Sequence, residues 1–125
     1  MKIALPVDEK NIDTTVCPSF GRAPYFLIYD TESNDYLFYD NQAASSQGGA
    51  GIKAAQSLLD NQVSFLLTPR CGENAAQVLN TGGVKLYKTI SESAMENINA
   101  FNDGKLLLLN EIHPGFHRRG GAGSV

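Results

Sequence analysis

The spacing of hydrophobic and polar positions changes several times along the chain, and each change predicts an element. Lys2 to Val7 (KIALPV) is short, apolar and β-capable, and its Pro6 suits a strand end, so it reads as strand 1. The next stretch, DEKNIDTTVCPSFGRAP, is polar and dense in turn formers, with Pro18, Gly21 and Pro24; it predicts a long loop, a kind of connection that often carries function. Tyr25 to Tyr29 and Tyr36 to Tyr39 are aromatic and aliphatic runs that predict a hairpin turning at Ser33, Asn34 and Asp35. From Gly51 to Asn61 the period becomes helical, with Ile52, Ala55 and Leu59 at spacings of three and four and Leu58 beside them. Ser64 to Thr68 is a buried-type fourth strand bounded by Pro69. Cys71 to Asn80 predicts a second helix through Ala75, Val78 and Leu79, ending at Gly82 and Gly83. Val84 to Tyr87 is the fifth strand. A third helix begins at the capping-box match Thr89-x-x-Glu92 or at Ser91, turns Ala94, Met95, Ile98 and Phe101 inward, and stops at Gly104. The order βββαβαβα points to a mixed sheet flanked by helices, and Leu106 to Leu109 would add a sixth strand at an edge.

Composition narrows the class. A chain of 125 residues with 42% hydrophobic and 18% charged positions is expected to bury one core, in a single domain over residues 1–112. Residues 113–125, HPGFHRRGGAGSV, lack periodicity and predict a flexible Gly/Arg/His tail. That tail holds Arg118 and Arg119 and no acid, whereas the preceding residues carry eight Lys and Arg and all thirteen acids. A net charge of −3 offers no source for the counterion release that drives nucleic-acid binding. Two cysteines, Cys17 and Cys71, exclude a disulfide scaffold, a CxxC redox motif and a four-cysteine zinc site, and imply reduced thiols in the cytoplasm. No apolar run approaches membrane-spanning length, and the five mostly apolar residues before Asp8 are too few for a signal peptide.

Four places hold candidate chemistry. Gly48, Gly49 and Gly51 open the first helix, where unpaired N–H groups favour anions and glycine permits close approach of a ligand; the same run also serves a loop that only needs to turn. Cys71, with Gly72 after it and Arg70 before it, falls at a loop-to-helix junction. Dipole and cation would both favour its thiolate as a metal or cluster ligand, or a redox-sensitive group, and the alternative is a small apolar cap residue. Its pKa is therefore expected below the usual cysteine value, and it is expected to alkylate before Cys17. His113 and His117 carry soft donors in H-x3-H spacing, but Pro114 and Gly115 forbid a regular helix between them. Convergence of Cys17, Cys71, His113 and His117 would make a Cys2His2 set, whose spacing matches no zinc finger. Ser19, Phe20 and Arg22 lie in a Ser-Phe-Gly-Arg block before strand 2; Arg22 suits either an anionic ligand or a nearby carboxylate.

Together, MKIALPVD, the block Ser19 to Phe26, the Gly48 to Ala55 helix start, Cys71-Gly-Glu-Asn-Ala75 and Gly82 to Tyr87 resemble the dinitrogenase iron-molybdenum cofactor biosynthesis family. That family includes NifX, NifY, the C-terminal domain of NifB and small stand-alone proteins, and the similarity runs in order over about residues 1–103. The resemblance implies a ribonuclease H-like α/β fold with a five-stranded mixed sheet of order 3-2-1-4-5, strand 2 antiparallel and helices flanking. It would set the loop after strand 1, the Gly-rich run and the Cys71 junction along one sheet edge, where open α/β sheets bind ligands. It also implies a non-catalytic carrier or accessory protein for an iron-sulfur or molybdenum-containing cluster or precursor. The cluster would be bound transiently and absent after aerobic purification, with cluster donor or acceptor proteins as partners. Two positions depart from the family pattern: Ser19 where some relatives carry His, and Glu73 where many carry Pro.

Two other readings use the same residues differently. A metal-free module would bind a small anion or a partner protein at the same edge through backbone N–H groups. A nuclease would use Asp8 at the end of strand 1, but the fourth strand has no acid, and two-metal phosphodiester chemistry needs several converging carboxylates.

Overall fold

Strand β1 (Lys2–Val7) is the centre of the molecule, because its residues from Ile3 to Val7 are all buried and both of its faces are covered. The computed structural model describes residues 1–109 and 112–113. β1 pairs antiparallel with β2 (Tyr25–Asp30), and β2 pairs antiparallel with β3 (Tyr36–Asp40) across a turn in which Asn34 takes φ 65°. Helix α1 (Ala50–Asp60) leads to β4 (Phe65–Thr68), which runs parallel to β1. A two-residue strand, β5 (Cys71–Gly72), precedes α2 (Glu73–Thr81); β6 (Lys85–Lys88) then pairs parallel with β4, and α3 (Ala94–Asn102) follows. The main sheet has five strands in the order β3-β2-β1-β4-β6, with β2 alone reversed.

The neighbours in this sheet are those expected, and the last strand becomes β6 only because Cys71–Gly72 forms a strand of its own. That short strand pairs in parallel with β7 (Ile112–His113), so backbone pairing reaches the first residue assigned to the tail. Cys71 therefore does not begin a helix, as its spacing predicted; two residues of extended backbone come first. Leu106 to Leu109 does not form a sixth strand either. One antiparallel bridge, Tyr87 to Leu108, attaches it to the sheet, with Lys88 N–H donating to Leu107 O and Leu109 N–H to Leu86 O, each at 2.9 Å.

Alternation along the strands sorts the core into two layers. Ala4, Phe26, Ile28, Leu66 and Leu86 face Ala54, Ala55 and Leu58 of α1 and Ala75, Ala76 and Leu79 of α2. Ile3, Leu5, Val7, Leu27 and Leu67 face Ala94, Ile98 and Ala100 of α3. Because β1 and β2 are apolar on both faces, successive residues divide between the two layers, and the helices cover one layer each.

Helices α1, α2 and α3 end alike. After α1, α2 and α3, the residues Gln62, Gly83 and Gly104 take φ 62°, 88° and 73°. The next N–H groups, of Val63, Val84 and Lys105, reach back to Leu58, Leu79 and Ala100 carbonyls at 3.1, 2.9 and 2.9 Å. These are Schellman closures, with glycine at the left-handed position in two of the three. The start of α3 differs from expectation: Ser93, not Thr89 or Ser91, is the N-cap, and its Oγ accepts from Glu96 N–H at 3.2 Å. Ser93-x-x-Glu96 has the same capping-box spacing as the earlier match and lies one turn nearer the apolar run.

Candidate functional site

The loop between β1 and β2 is held at both ends. Its first half is tied to the α3 side, with Val16 N–H donating to Glu92 O and Cys17 N–H to Pro6 O, both at 2.8 Å. Its second half lies over the start of α1. Phe20 is buried and packs against Phe26 with ring centroids 5.3 Å apart and the rings tilted by 49°, which anchors the turn. Asn41, buried just after β3, donates through Nδ2 to Gly21 O at 3.1 Å and Ala23 O at 2.8 Å. The loop backbone is thereby pressed onto the helix. A Cβ on Gly21 would sit 2.8 Å from Gly51 N and 2.9 Å from Gly51 Cα, and a Cβ on Gly51 would meet Ala75 Cβ at 3.4 Å. Glycine at 21 is required by this approach of two backbones, and the starts of α1 and α2 are brought side by side.

The result is a cleft of about 710 Å³, within the usual range for small-molecule sites. Ser19, Phe20, Gly21 and Arg22 line one side, Gly49 to Ile52 a second, and Arg70 to Ala75 a third. Of the residues expected to bind a cofactor, seven share this cleft: Ser19, Phe20, Arg22, Gly49, Gly51, Cys71 and Gly72. Gly48 lies outside the lining, because Gly49 with φ 69° turns the chain before the helix begins. Cys17 also lies outside it, held against β1 by its backbone bond to Pro6.

The lining is rich in donors. Among the described residues neither α1 nor α2 has a side-chain N-cap, so the first N–H groups of both helices line the cleft without one, and the two positive dipole ends both act there. Arg22 donates through Nη1 to Ala44 O at 2.9 Å and Ser46 O at 2.6 Å, which fixes the guanidinium on the cleft wall. Arg70 is exposed on the opposite rim. Glu73, in the first turn of α2, supplies the opposing charge. The arrangement is suited to an anion held by charge-assisted hydrogen bonds.

Cys71 corrects the expectation made for it. The residue is 1% exposed and packs in the apolar layer under α1 and α2, and burial pushes its thiol up to about 11. The predicted low pKa assumed a solvated helix start. Here Gly72 is the N-cap of α2, and Cys71 sits one residue earlier, inside the core, where desolvation penalises the thiolate. Cys17, half-buried, is also raised, mainly by burial, with the Ser19 backbone opposing the shift and Asp8 adding to it. No three of the His, Cys, Asp and Glu side chains come together as a metal site among the described residues. The side chain of His113 and all of His117 lie outside the described residues, so the Cys2His2 set is not placed by the structure. Asp8 accepts a hydrogen bond from the Thr15 hydroxyl and has no acidic cluster around it among the described residues.

Comparison with known proteins gives the family and fold. The sequence pattern of the dinitrogenase iron-molybdenum cofactor family matches residues 1–104. The chain belongs to that family. Among solved structures it is similar to the apo form of the orange protein from Desulfovibrio gigas, at 30% identity and TM-score 0.83, over 87% of this chain and 92% of that one. It is also similar to a Thermotoga protein described as NifB, at 36% identity and TM-score 0.78, over 95% of this chain and 98% of that one. A dinitrogenase-related protein from Methanocaldococcus jannaschii shares the fold, at 19% identity and TM-score 0.66, over 88% of this chain and 95% of that one. No curated protein matches the chain. Among the described residues no helix is long and apolar enough to cross a membrane.

Two determinants of the site were not read as such from sequence. Gly21 was legible only as a turn former, and Asn41 was not singled out. A polar residue directly after a strand and before a small-residue run is the one signal that pointed to Asn41.

Proposed function

We propose that the protein is a non-catalytic carrier or accessory protein that holds an anionic metallocluster, iron-sulfur or molybdenum-containing, or its precursor, in the cleft between the starts of α1 and α2. The observation that carries this reading is the convergence of two helix N-termini without side-chain caps with Arg22 and Arg70 on one cleft. Family membership supplies the class of cargo. The fold is read as ribonuclease H-like and the setting as cytoplasmic, where both cysteines stay free thiols. Partners would be proteins that deliver or receive the cluster.

The donor set decides how the cargo is held. Ser19, Arg22, Gly49, Gly51 and Gly72 contribute hydrogen bonds from outside the cluster, and Phe20 contributes an apolar wall. Cys71 would coordinate metal only if the cleft floor opened, since its side chain is packed beneath it. Cys17, Gly48, His113 and His117 are secondary candidates, to be tested after the cleft residues.

Anaerobic titration of the full chain with tetrathiomolybdate, and reconstitution with iron, sulfide and molybdate, tests the reading. The expected result is a charge-transfer spectrum that stays with the protein through gel filtration and is lost in Arg22→Ala. Colour that separates from the protein on the column would remove the carrier reading. The burial of Cys71 favours a second reading, the metal-free module. It predicts that plain oxyanions such as molybdate and sulfate bind as tightly as the thiometallate, and that Cys71→Ala leaves their affinity unchanged.

A further inference from the structure

We propose that two copies of this chain associate through the outer edge of β3, joining their sheets across a two-fold axis at Phe38. The hydrogen-bond phase of the hairpin fixes which groups are free. Asp30 N–H donates to Asp35 O at 2.8 Å, and Asn41 N–H donates to Pro24 O at 3.1 Å. In an antiparallel pair, residues that bond across alternate with residues whose N–H and C=O point away. Residues 35, 37, 39 and 41 therefore bond inward to β2 and its flanks. Tyr36, Phe38 and Asp40 turn their backbone groups to the open side.

This edge is unprotected in ways the other is not. The β6 edge is covered by the backbone bonds of Leu107 and Leu109. β3 (YLFYD) contains no proline or lysine, the residues that usually block edge pairing, and its Tyr36 and Leu37 are 49% and 54% exposed. Among the described residues β3 thus presents the one open edge of the main sheet, and pairing there closes at two copies.

The edge is complementary to itself. With Phe38 opposite Phe38 of the second copy, Tyr36 falls opposite Asp40, and all three outward residues pair their N–H and C=O. In the same register Leu37 falls opposite Tyr39 on the α1/α2 face, which covers the exposed leucine. Charge does not oppose the contact. Asp40 is paired with Lys10 at 2.9 Å, and this ion pair would meet the Tyr36 phenol of the second copy rather than another carboxylate. A second copy therefore satisfies the edge without a like-charge pair, and it leaves the cleft open.

The test is sedimentation of the full chain from about 10 µM to about 1 mM, with amide exchange read by NMR. A dimer is expected to replace the 13.5 kDa monomer over this range. The Tyr36, Phe38 and Asp40 amides should exchange more slowly as concentration rises, while those of Leu37 and Tyr39 do not change. Leu37→Lys should weaken self-association at least about tenfold with little change in melting temperature. In a Cys17→Ser background, Phe38→Cys should form a disulfide-linked dimer, because bonded antiparallel partners lie about 5.5 Å apart at Cα. A monomer across the whole range, or a dimer whose three outward amides exchange as in the monomer, overturns the proposal. The amide measurement uses the unaltered chain, so the outcome does not depend on any variant folding.

Discussion

The two faces of the sheet carry helices that end in the same way and begin in different ways. On one face, α3 starts with side-chain partners on its first turn. Ser93 caps it, Ser91 Oγ donates to Glu96 Oε1 at 2.6 Å, and the Asn97 amide holds three backbone groups at 2.8 Å: Ile90 N–H, Ser91 O and Ser93 O. On the other face, α1 and α2 begin with glycine N-caps and no side-chain partner. The difference matches the proposed use of the two faces. The start of α3 has a side-chain cap, and among the described residues the starts of α1 and α2, which line the cleft, have none. On that proposal, the α3 face carries local stability and the α1/α2 face forgoes some of it for binding.

The largest effect that would break this contrast is on the satisfied side. Asn97 is fully buried, so Asn97→Ala removes one acceptor and two donors and leaves backbone groups unpaired. A loss of about 3 kcal/mol is expected in denaturant unfolding, with thiometallate affinity in the surviving folded protein unchanged. Equal loss of affinity would mean that the faces are not independent.

Next in size is Gly21→Ala, which forces a Cβ against the Gly51 backbone. About 2 kcal/mol of stability should be lost as the loop lifts, and here affinity should fall with it, by tenfold or more. Isothermal titration beside thermal unfolding separates the two quantities. Unaltered affinity would show that the loop does not shape the cleft.

Exchanging the two kinds of helix start gives a smaller and more selective effect. Ser93→Ala should cost about 1 kcal/mol and leave binding alone. Gly72→Asp places a capping acceptor and a negative charge at the start of α2. Stability should change by less than about 0.5 kcal/mol, while anion affinity drops sharply, most of all at low salt.

The smallest effect at neutral pH belongs to Cys71. Its thiol is raised above the ordinary value of 9.0 to about 11, so the folded state binds the proton more tightly than the unfolded chain does. The associated stability is complete below pH 9 and is lost as pH rises toward 11; Cys71→Ala should flatten that slope. Iodoacetamide near pH 8 should label half-buried Cys17 first and reach Cys71 only after denaturant. Rapid labelling of Cys71 in native protein would show that the cleft floor opens and would restore it as a metal ligand.

Strand positions, helix phases and helix stops were legible along the chain because each depends on neighbours a few residues away. The short apolar runs KIALPV and YFLIYD, the spacing of three and four through Leu58 and through Leu79, and Gly83 and Gly104 at positions of positive φ all act locally. Cys71 could not be read this way. Its flanks, Arg70 and the start of a helix, are those of a reactive thiol, and only packing under residues from both α1 and α2 makes it a core residue. The same holds for Gly21, Gly51 and Asn41, which lie 20 or more positions from the groups they contact or hold, except that Asn41 also reaches Ala23 at a separation of 18. Local pattern determined which segments carry donors. Which donors stay exposed, and which side chain is sealed beneath them, was decided by the approach of the loop after β1 to the two helix starts, because burial depends on atoms that the sequence brings together only through the fold.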